Sequence, residues 1–234
     1  MRSSPEGGRR YVFVLAESEL ELVPAEIQSE NSVFSTAKTR GKRASNILLD
    51  ASYHHSAMKN LAEGERRGRP DIAHFFLLLC LDSRLNHIGR LKIIIHTRNN
   101  QRITISPELR LPPSYHRFVG LVESLFQNGA VPSKEEPLMK IEGGWGLLDV
   151  LKAEKCDRVV VLDSEGEEKD PVAAFADNYE GSTAVVIGGF PSGTLHSDIS
   201  SLKPSVLSMG EDMLKVWTVT AEMLSAAYAS VTRP

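Results

Sequence analysis

The sequence predicts an α/β fold built on a mainly parallel sheet. Three observations carry that expectation. Short apolar, β-rich runs recur, as at residues 11–15, 158–162 and 183–187. Helical stretches alternate with them, and strand–helix alternation is the pattern of a parallel sheet covered by helices. A glycine-rich loop, Gly188-Gly189-Phe190-Pro191-Ser192-Gly193, directly follows the run that ends at Ile187.

In chain order, residues 11–15 and 46–49 read as buried strands, joined by a polar loop rich in Ser, Thr, Lys and Arg. Residues 54–62 read as a helix. Pro70 opens a second helix that runs to Leu81; proline suits the first helical position, and Asp71 is favoured beside the positive helix end. Phe75 to Leu81 is apolar on every side, which predicts a buried helix. Residues 91–96 and 102–106, joined by Arg98-Asn99-Asn100-Gln101, predict a hairpin. Ser114 then caps a helix whose apolar stripe is Phe118, Leu121, Val122 and Leu125, closing near Asn128-Gly129. A strand at about 138–141 leads through Gly143-Gly144-Trp145-Gly146 into a short helix. Runs 158–162, 183–187 and 205–208 complete the strands, with helices at 171–178 and 212–229. Residues 1–10 read as a disordered lead-in and 11–234 as one domain, with the hairpin and helix of about 91–130 as an insertion.

Composition narrows the class. The 234 residues are 41% hydrophobic and 24% charged, ordinary for a soluble globular chain. Cys80 and Cys156 stand far apart in apolar company, which argues against a disulfide framework or zinc site and for a reducing compartment. His54 and His55 are spaced wrongly for one helix face, so no metal is expected. No run reaches the roughly 18 apolar residues of a membrane span. The charged N-terminus has no apolar stretch behind it and does not read as a secretory signal.

Net charge is −3, but the charges are unevenly spread. From Arg84 to Arg117, seven Lys and Arg stand against Glu108 alone; from Asp163 to Asp212, ten acids stand against Lys169 and Lys203. Arg66, Arg67 and Arg69 add to the basic part. Such polarity predicts one surface that meets a polyanion.

The glycine loop points to a ligand. Phosphate-holding loops of doubly wound folds usually follow the first strand. This one comes late, contains Pro191 and lacks the lysine of a phosphate-binding loop. It therefore suits an adenosine-containing, phosphate-free ligand such as S-adenosylmethionine, clasped by backbone groups.

Four motifs in order carry a family resemblance. They are Arg69-Pro70-Asp71 before the buried helix, Leu81-Asp82-Ser83-Arg84-Leu85-Asn86 after it, Glu108-Leu109-Arg110-Leu111-Pro112-Pro113-Ser114-Tyr115-His116-Arg117-Phe118, and the paired C-terminal segments at Gly188 and Val206. From about Tyr11 onward the chain resembles the SPOUT-class pseudouridine-N1-specific methyltransferases of small-subunit ribosomal RNA, a ribosome-biogenesis family. The short N-terminus looks more like its archaeal branch.

That resemblance implies a C-terminal trefoil knot, an S-adenosylmethionine site within it and a homodimer. It implies a small-subunit rRNA stem-loop as substrate and ribosomal assembly proteins as further partners, with no membrane. An archaeal-like chain would be cytoplasmic and a eukaryotic one nucleolar. By position, Gly188 and Gly193 match cofactor-loop glycines. Leu207, Ser208, Met209, Gly210, Glu211 and Asp212 match the segment closing on the adenosyl group. Arg69 and Asp71 match active-site positions at the target base, both catalytic and RNA-binding. Arg110 and Arg117 match RNA-binding arginines, and Pro113 stands where the pattern has a third arginine.

The implied chemistry suits these residue types. A sulfonium methyl is already activated, so alignment matters more than acid–base apparatus. Pseudouridine carries a free ring N1–H, and Asp71 is placed to take that proton or to orient the ring. Turning the base out of its stack costs a few kcal/mol, which arginines on the loop phosphates would offset.

Taken singly, each motif has a plainer reading. Pro70-Asp71 is an ordinary helix start, Arg110 and Arg117 solvate a helix face, and the glycine loop is a strand-to-helix turn. Trp217, Ala221, Leu224 and Tyr228 form a helical stripe that reads as core or dimer seam. Two further function classes also remain: a SPOUT methyltransferase acting on transfer RNA, and a non-catalytic RNA-binding assembly factor. The basic tract and the joint order of the motifs favour the rRNA enzyme.

Overall fold

The computed structural model describes residues 8–176, 180–210 and 214–232. Along the chain run β1 (Arg10–Ser18), α1 (Asn31–Thr39), α2 (Ala51–Met58), α3 (Pro70–Asp82), α4 (Arg84–His87), β2 (Leu91–Thr97), β3 (Gln101–Ile105) and α5 (Tyr115–Asn128). They continue with β4 (Ala130–Val131), β5 (Met139–Gly143), α6 (Leu147–Glu154), β6 (Arg158–Glu168), β7 (Ser182–Gly188), β8 (Ser205–Ser208) and α7 (Val216–Thr232).

Among the described residues these strands form one eight-stranded sheet, ordered β4-β5-β3-β2-β1-β7-β6-β8. The five strands from β2 to β8 pair in parallel, and β3, β5 and β4 extend the sheet antiparallel. The expected mainly parallel α/β sheet is therefore observed. β1 lies near the centre, its Tyr11 to Leu15 in register with both Leu91 to Ile95 and Thr183 to Ile187.

The central strands are apolar on both faces because helices cover both. Side chains alternate across a strand. Tyr11, Phe13 and Leu15 point into a core shared with α3, α5 and α7. Val12, Val14 and Ala16 point the other way, onto Leu147, Val150 and Leu151 of α6. A smaller core, with Val33 and Ala37 of α1 and Ala57 and Met58 of α2, sits beside this sandwich.

Several local expectations change. Residues 46–49 are not a strand. Ile47, Leu48 and Leu49 are buried, but Leu48 forms only an isolated bridge with Leu22, because Ile47 and Leu49 fill the small core while Leu48 packs into the main one. The polar loop before it contains α1, whose Val33 and Ala37 supply a buried stripe too narrow to stand out. The helix expected at 54–62 starts earlier, at Ala51, where the Asp50 side chain accepts the Ser52 N–H. Ser114 holds the cap position of α5 without a side-chain cap bond, whereas Gly129 closes that helix in the left-handed region at φ 79°.

The helix expected at 171–178 reduces to a short 3-10 turn, Ala173–Phe175, and residues 177–179 lie outside the described ones. The C-terminal helix begins at Val216 rather than 212. Of the expected lead-in, residues 1–7 lie outside the described residues and Arg10 already belongs to β1. The segment 91–130 forms the expected hairpin and helix, and β2 pairs directly with β1, so it is continuous with the main sheet.

α3 is also less enclosed than its sequence implies. Ile72, Ala73, Phe76, Leu77 and Cys80 are buried, but Phe75 is 45% exposed. The extra apolar face borders a groove against α7. Its Leu78, Leu79 and Leu81 line that groove with Ala221, Leu224 and Tyr228.

One buried charge joins the two cores. Glu123 of α5 is fully buried and accepts from Arg40, at 2.8 and 3.1 Å, from Lys42 at 2.6 Å and from the Leu48 N–H at 3.0 Å. Both cations are about a third exposed, so water remains to solvate them if the carboxylate is removed. Glu123→Ala is expected to lower stability by about 2–3 kcal/mol, the scale of hydrogen bonds to a charged group. Chemical denaturation would check this; a loss below a few tenths of a kcal/mol would show that Glu123 does not join the cores.

Candidate active site

The expected cofactor residues converge. β6, β7 and β8 are neighbouring parallel strands, and the loops at their carboxyl ends enclose a cavity of about 140 Å³. Gly188, Gly193, Leu207, Ser208, Met209 and Gly210 all line it. Glu211 and Asp212 lie outside the described residues. The other walls are mostly apolar, and Asp163 is the one charged side chain among the described lining residues. The described lining holds no lysine or arginine, and its acidic residue suits a cation. Those features fit the sulfonium of S-adenosylmethionine.

The glycines have distinct reasons. A Cβ on Gly188 would lie 2.6 Å from the Phe190 ring, and one on Gly189 2.6 Å from the Ser18 Cα. Gly193 has φ +89° and Gly210 φ +117°, conformations that L side chains rarely adopt. Gly189 donates to Ala16 O at 2.7 Å and accepts from the Glu19 N–H at 3.1 Å. The cofactor loop is thus docked onto the end of β1.

That docking is reinforced by buried charge. Arg66 lies with its Cζ 3.6 Å from the Phe190 ring centroid and donates from Nη1 to Thr194 O at 2.9 Å. Its Nη2 and Nε donate to Glu17 and Glu19, each at 2.9 Å. The Glu17 carboxylate also accepts the backbone N–H groups of His196 and Ser197. Arg98 donates to Glu19 at 2.6 Å, and Arg67 forms a two-point bridge with Glu21. Burial pushes the Glu17 carboxyl up, but the hydrogen bonds from His196 and Ser197 and the Arg66 charge outweigh it and hold the group below its ordinary 4.5.

Glu19 also reaches the Arg69-Pro70-Asp71 motif. Its carbonyl accepts the Arg69 N–H at 3.1 Å while its own N–H bonds Gly189, so one residue joins the cofactor loop to Arg69. Arg69 and Asp71 form a two-point pair: Nε to Oδ1 at 2.8 Å and Nη2 to Oδ2 at 2.7 Å. Hydrogen bonding to Asp71 raises the Arg69 pKa, with smaller contributions from Tyr115 and Asp50. Pro70 fixes the helix start directly after Arg69, which lies outside the helical region at φ −119° and ψ 59°. Tyr115, at the start of α5, donates to Asp50 at 2.5 Å. Burial, then that bond, drives the Tyr115 pKa far above its usual value, so the phenol keeps its proton.

The basic tract needs correction. Lys92 pairs with Glu154, Arg98 with Glu19 and Glu63, and Arg102 with Glu142. Arg66, Arg67 and Arg69 are likewise committed to carboxylates. Acids distant in sequence fold onto these residues, so the run is far less positive in space than in sequence. Arg110 and Arg117 are exposed, and among the described residues neither makes an ion pair. Arg110 and Pro113 line the large groove by α7, whereas Arg117 stands on the first turn of α5; neither pocket includes Arg69 or Asp71.

Sequence reasoning missed Glu17, Glu19, Arg66, Asp50 and Tyr115. One signal was available: Glu17, Glu19 and Glu21 follow an apolar strand at alternate positions, and three arginines cluster at 66–69. Nothing in the spacing shows that the two groups meet.

A family profile described as EMG1/NEP1 methyltransferase matches residues 13–228. Over 214 residues the chain is 44% identical to a Methanothrix thermoacetophila protein named Ribosomal RNA small subunit methyltransferase Nep1, covering 91% of this chain and 92% of that one. A Pyrococcus furiosus protein of the same name is 38% identical over 222 residues, covering 92% and 95%. The crystal structure of Archaeoglobus fulgidus Nep1 bound to S-adenosylhomocysteine matches with a TM-score of 0.82 at 34% identity, over 95% of this chain and 98% of that one.

Glu17 predicts an acid sensitivity. Because its pKa is lowered from 4.5 on folding, its contribution to stability is complete above that value and is lost as pH falls through the lowered pKa. Glu17→Gln should therefore destabilise the protein at about pH 7 and progressively less toward about pH 3. Paired thermal melts would check this; a gap that stays constant with pH would contradict it.

Proposed function

This chain belongs to the EMG1/NEP1 methyltransferase family, and from that premise we propose that it methylates small-subunit ribosomal RNA with S-adenosylmethionine during ribosome biogenesis, at N1 of a pseudouridine. One observation carries the site-level reading. A cavity at a glycine loop, with no lysine or arginine among its described lining residues, is joined through Glu19 to the Arg69–Asp71 pair. Names of relatives support the rRNA substrate, and the S-adenosylhomocysteine in the Archaeoglobus protein supports the cofactor.

S-adenosylmethionine, when bound, supplies an activated methyl group; the protein's work is alignment. Gly188, Gly193, Leu207, Ser208, Met209 and Gly210 would hold it, with Glu211 and Asp212 as proposed continuations of that segment. Arg69 and Asp71 would meet the target base. Both Asp71 oxygens accept from Arg69, so we read Asp71 first as the group that orients the guanidinium. Each oxygen keeps a lone pair for a ring N–H. Arg110 and Arg117 would contact RNA phosphates, with Pro113 between them shaping the loop. Residues 91–130 would form the RNA-facing part of a single domain.

We further propose a homodimer formed partly through the terminal helix α7, whose Trp217 ring centroid lies 5.1 Å from that of the exposed Phe75 of α3. The trefoil knot is proposed for the segment from β6 to α7. Both cysteines are free, which is compatible with the cytoplasm. Among the described residues no helix is long and apolar enough to cross a membrane.

Cofactor choice is directly testable. Gly193→Val should abolish S-adenosylhomocysteine binding in calorimetry, because valine resists φ +89° and its Cβ would lie 3.2 Å from Arg66 Nη1. Wild-type protein that prefers ATP or NAD would overturn the cofactor assignment.

A pseudouridine stem-loop should be methylated and its uridine counterpart should not, since only the former has a free N1–H. Arg110→Ala should weaken RNA binding and lower the salt slope by roughly one. Asp71→Ala should mainly cut turnover and spare cofactor binding. Mass spectrometry of the RNA product, with light scattering of the same sample, checks reaction and dimer together. Wild-type rates and affinities in both variants would make these residues structural, and a monomer at micromolar concentration would count against the dimer.

A further inference from the structure

Residues 106–114, between β3 and α5, carry Arg110 and Pro113 yet belong to no helix or strand. Side chains from α3 and α4 fix their path. His74 Nε2 lies 3.0 Å from Pro112 O, and the His74 ring stacks on Phe118 with centroids 4.5 Å apart and planes at 22°. Asn86 donates from Nδ2 to Pro107 O at 3.1 Å and to Leu81 O at 2.9 Å. His74 is 4% exposed and Asn86 5%. The two tethers bracket Arg110, and buried Leu109 pins the stretch between them.

The chemistry is one-directional. A proline carbonyl only accepts, so His74 must present its proton at Nε2. His74 also stands three residues beyond Asp71 on α3, and residues so spaced share a helix face. One rigid helix therefore carries both the target-base carboxylate and the tether of the arginine loop.

We propose that His74 and Asn86 are positioning residues for RNA recognition: they hold residues 107–112 so that Arg110 meets the RNA at a fixed distance from Asp71. This rests on the functional reading above. Neither side chain touches RNA or cofactor; each acts through the loop.

The test measures stem-loop affinity and steady-state kinetics for His74→Phe, His74→Gln and Asn86→Ala, each in wild-type and Arg110→Ala backgrounds. Phenylalanine keeps an aromatic ring against Phe118 but removes the donor, and glutamine restores a donor near the Nε2 position. His74→Phe should raise the RNA KM roughly tenfold, the scale of one hydrogen bond, with kcat and S-adenosylhomocysteine affinity unchanged. Asn86→Ala should act in the same direction, and His74→Gln should recover most of the loss. In the Arg110→Ala background both effects should disappear, because coupled residues are non-additive.

Equal effects in both backgrounds would overturn the proposal. So would an unchanged RNA affinity in His74→Phe, or a joint loss of kcat and cofactor affinity. A wild-type protein that neither binds nor methylates the pseudouridine stem-loop would defeat the functional reading itself and this proposal with it. That result is visible before any variant is compared.

Discussion

The site depends on a buried ionic knot of side chains at the carboxyl end of β1. Glu17 and Glu19 leave the central strand and meet Arg66 and Arg98, which arrive from two distant segments. Taking such groups out of water costs several kcal/mol per ion unless charge and hydrogen bonding are both satisfied. Here they are, because the Glu17 carboxylate accepts from Arg66 and from the backbone N–H groups of His196 and Ser197, just beyond the glycine loop. Glu17 has φ 49°, a left-handed conformation unusual for a non-glycine residue. Its N–H bond to His96 Nδ1 and its loop contacts hold it there. The strand end, the cofactor loop and the segment leading to Arg69 thus form one unit.

That unit explains how arginines divide between architecture and recognition. Arginine suits two-point pairing with carboxylates, and Arg67 and Arg69 both use it. An arginine so engaged is a poor partner for a phosphate, because the carboxylate would have to be displaced. Arg110 and Arg117 are exposed, and among the described residues neither makes an ion pair. The basic tract is therefore less positive in space than in sequence, because distant carboxylates fold onto Lys92, Arg98 and Arg102.

The cavity follows a general rule for parallel sheets, in which ligands sit outside the carboxyl ends of the strands. β6, β7 and β8 end there, and three glycines let the backbone turn close to the space a ligand would fill. Its lining is mostly apolar, and among the described lining residues Asp163 is the one charged side chain.

The sequence by itself determined the parallel core, since runs such as Val12 to Leu15 and Ala184 to Ile187 are apolar without alternation and need cover on both faces. It also determined α3 from Pro70, the Gly129 stop of α5, and the glycines of the cofactor loop, because these are local properties of backbone and side chain. Ordered motifs singled out Arg69, Asp71, Arg110 and Arg117 as candidates, and only the fold showed that Arg69 pairs with Asp71 while Arg110 and Arg117 stay exposed. Local pattern failed at Ile47 to Leu49, whose apolar character fits a strand and a loop buried between two cores equally well. Only the tertiary structure decided which charges are neutralised. Glu17 meets Arg66, and Glu123 meets Arg40, across long stretches of chain. Pairing of that kind is set by how the strands and helices stack, and no periodicity along the chain encodes it.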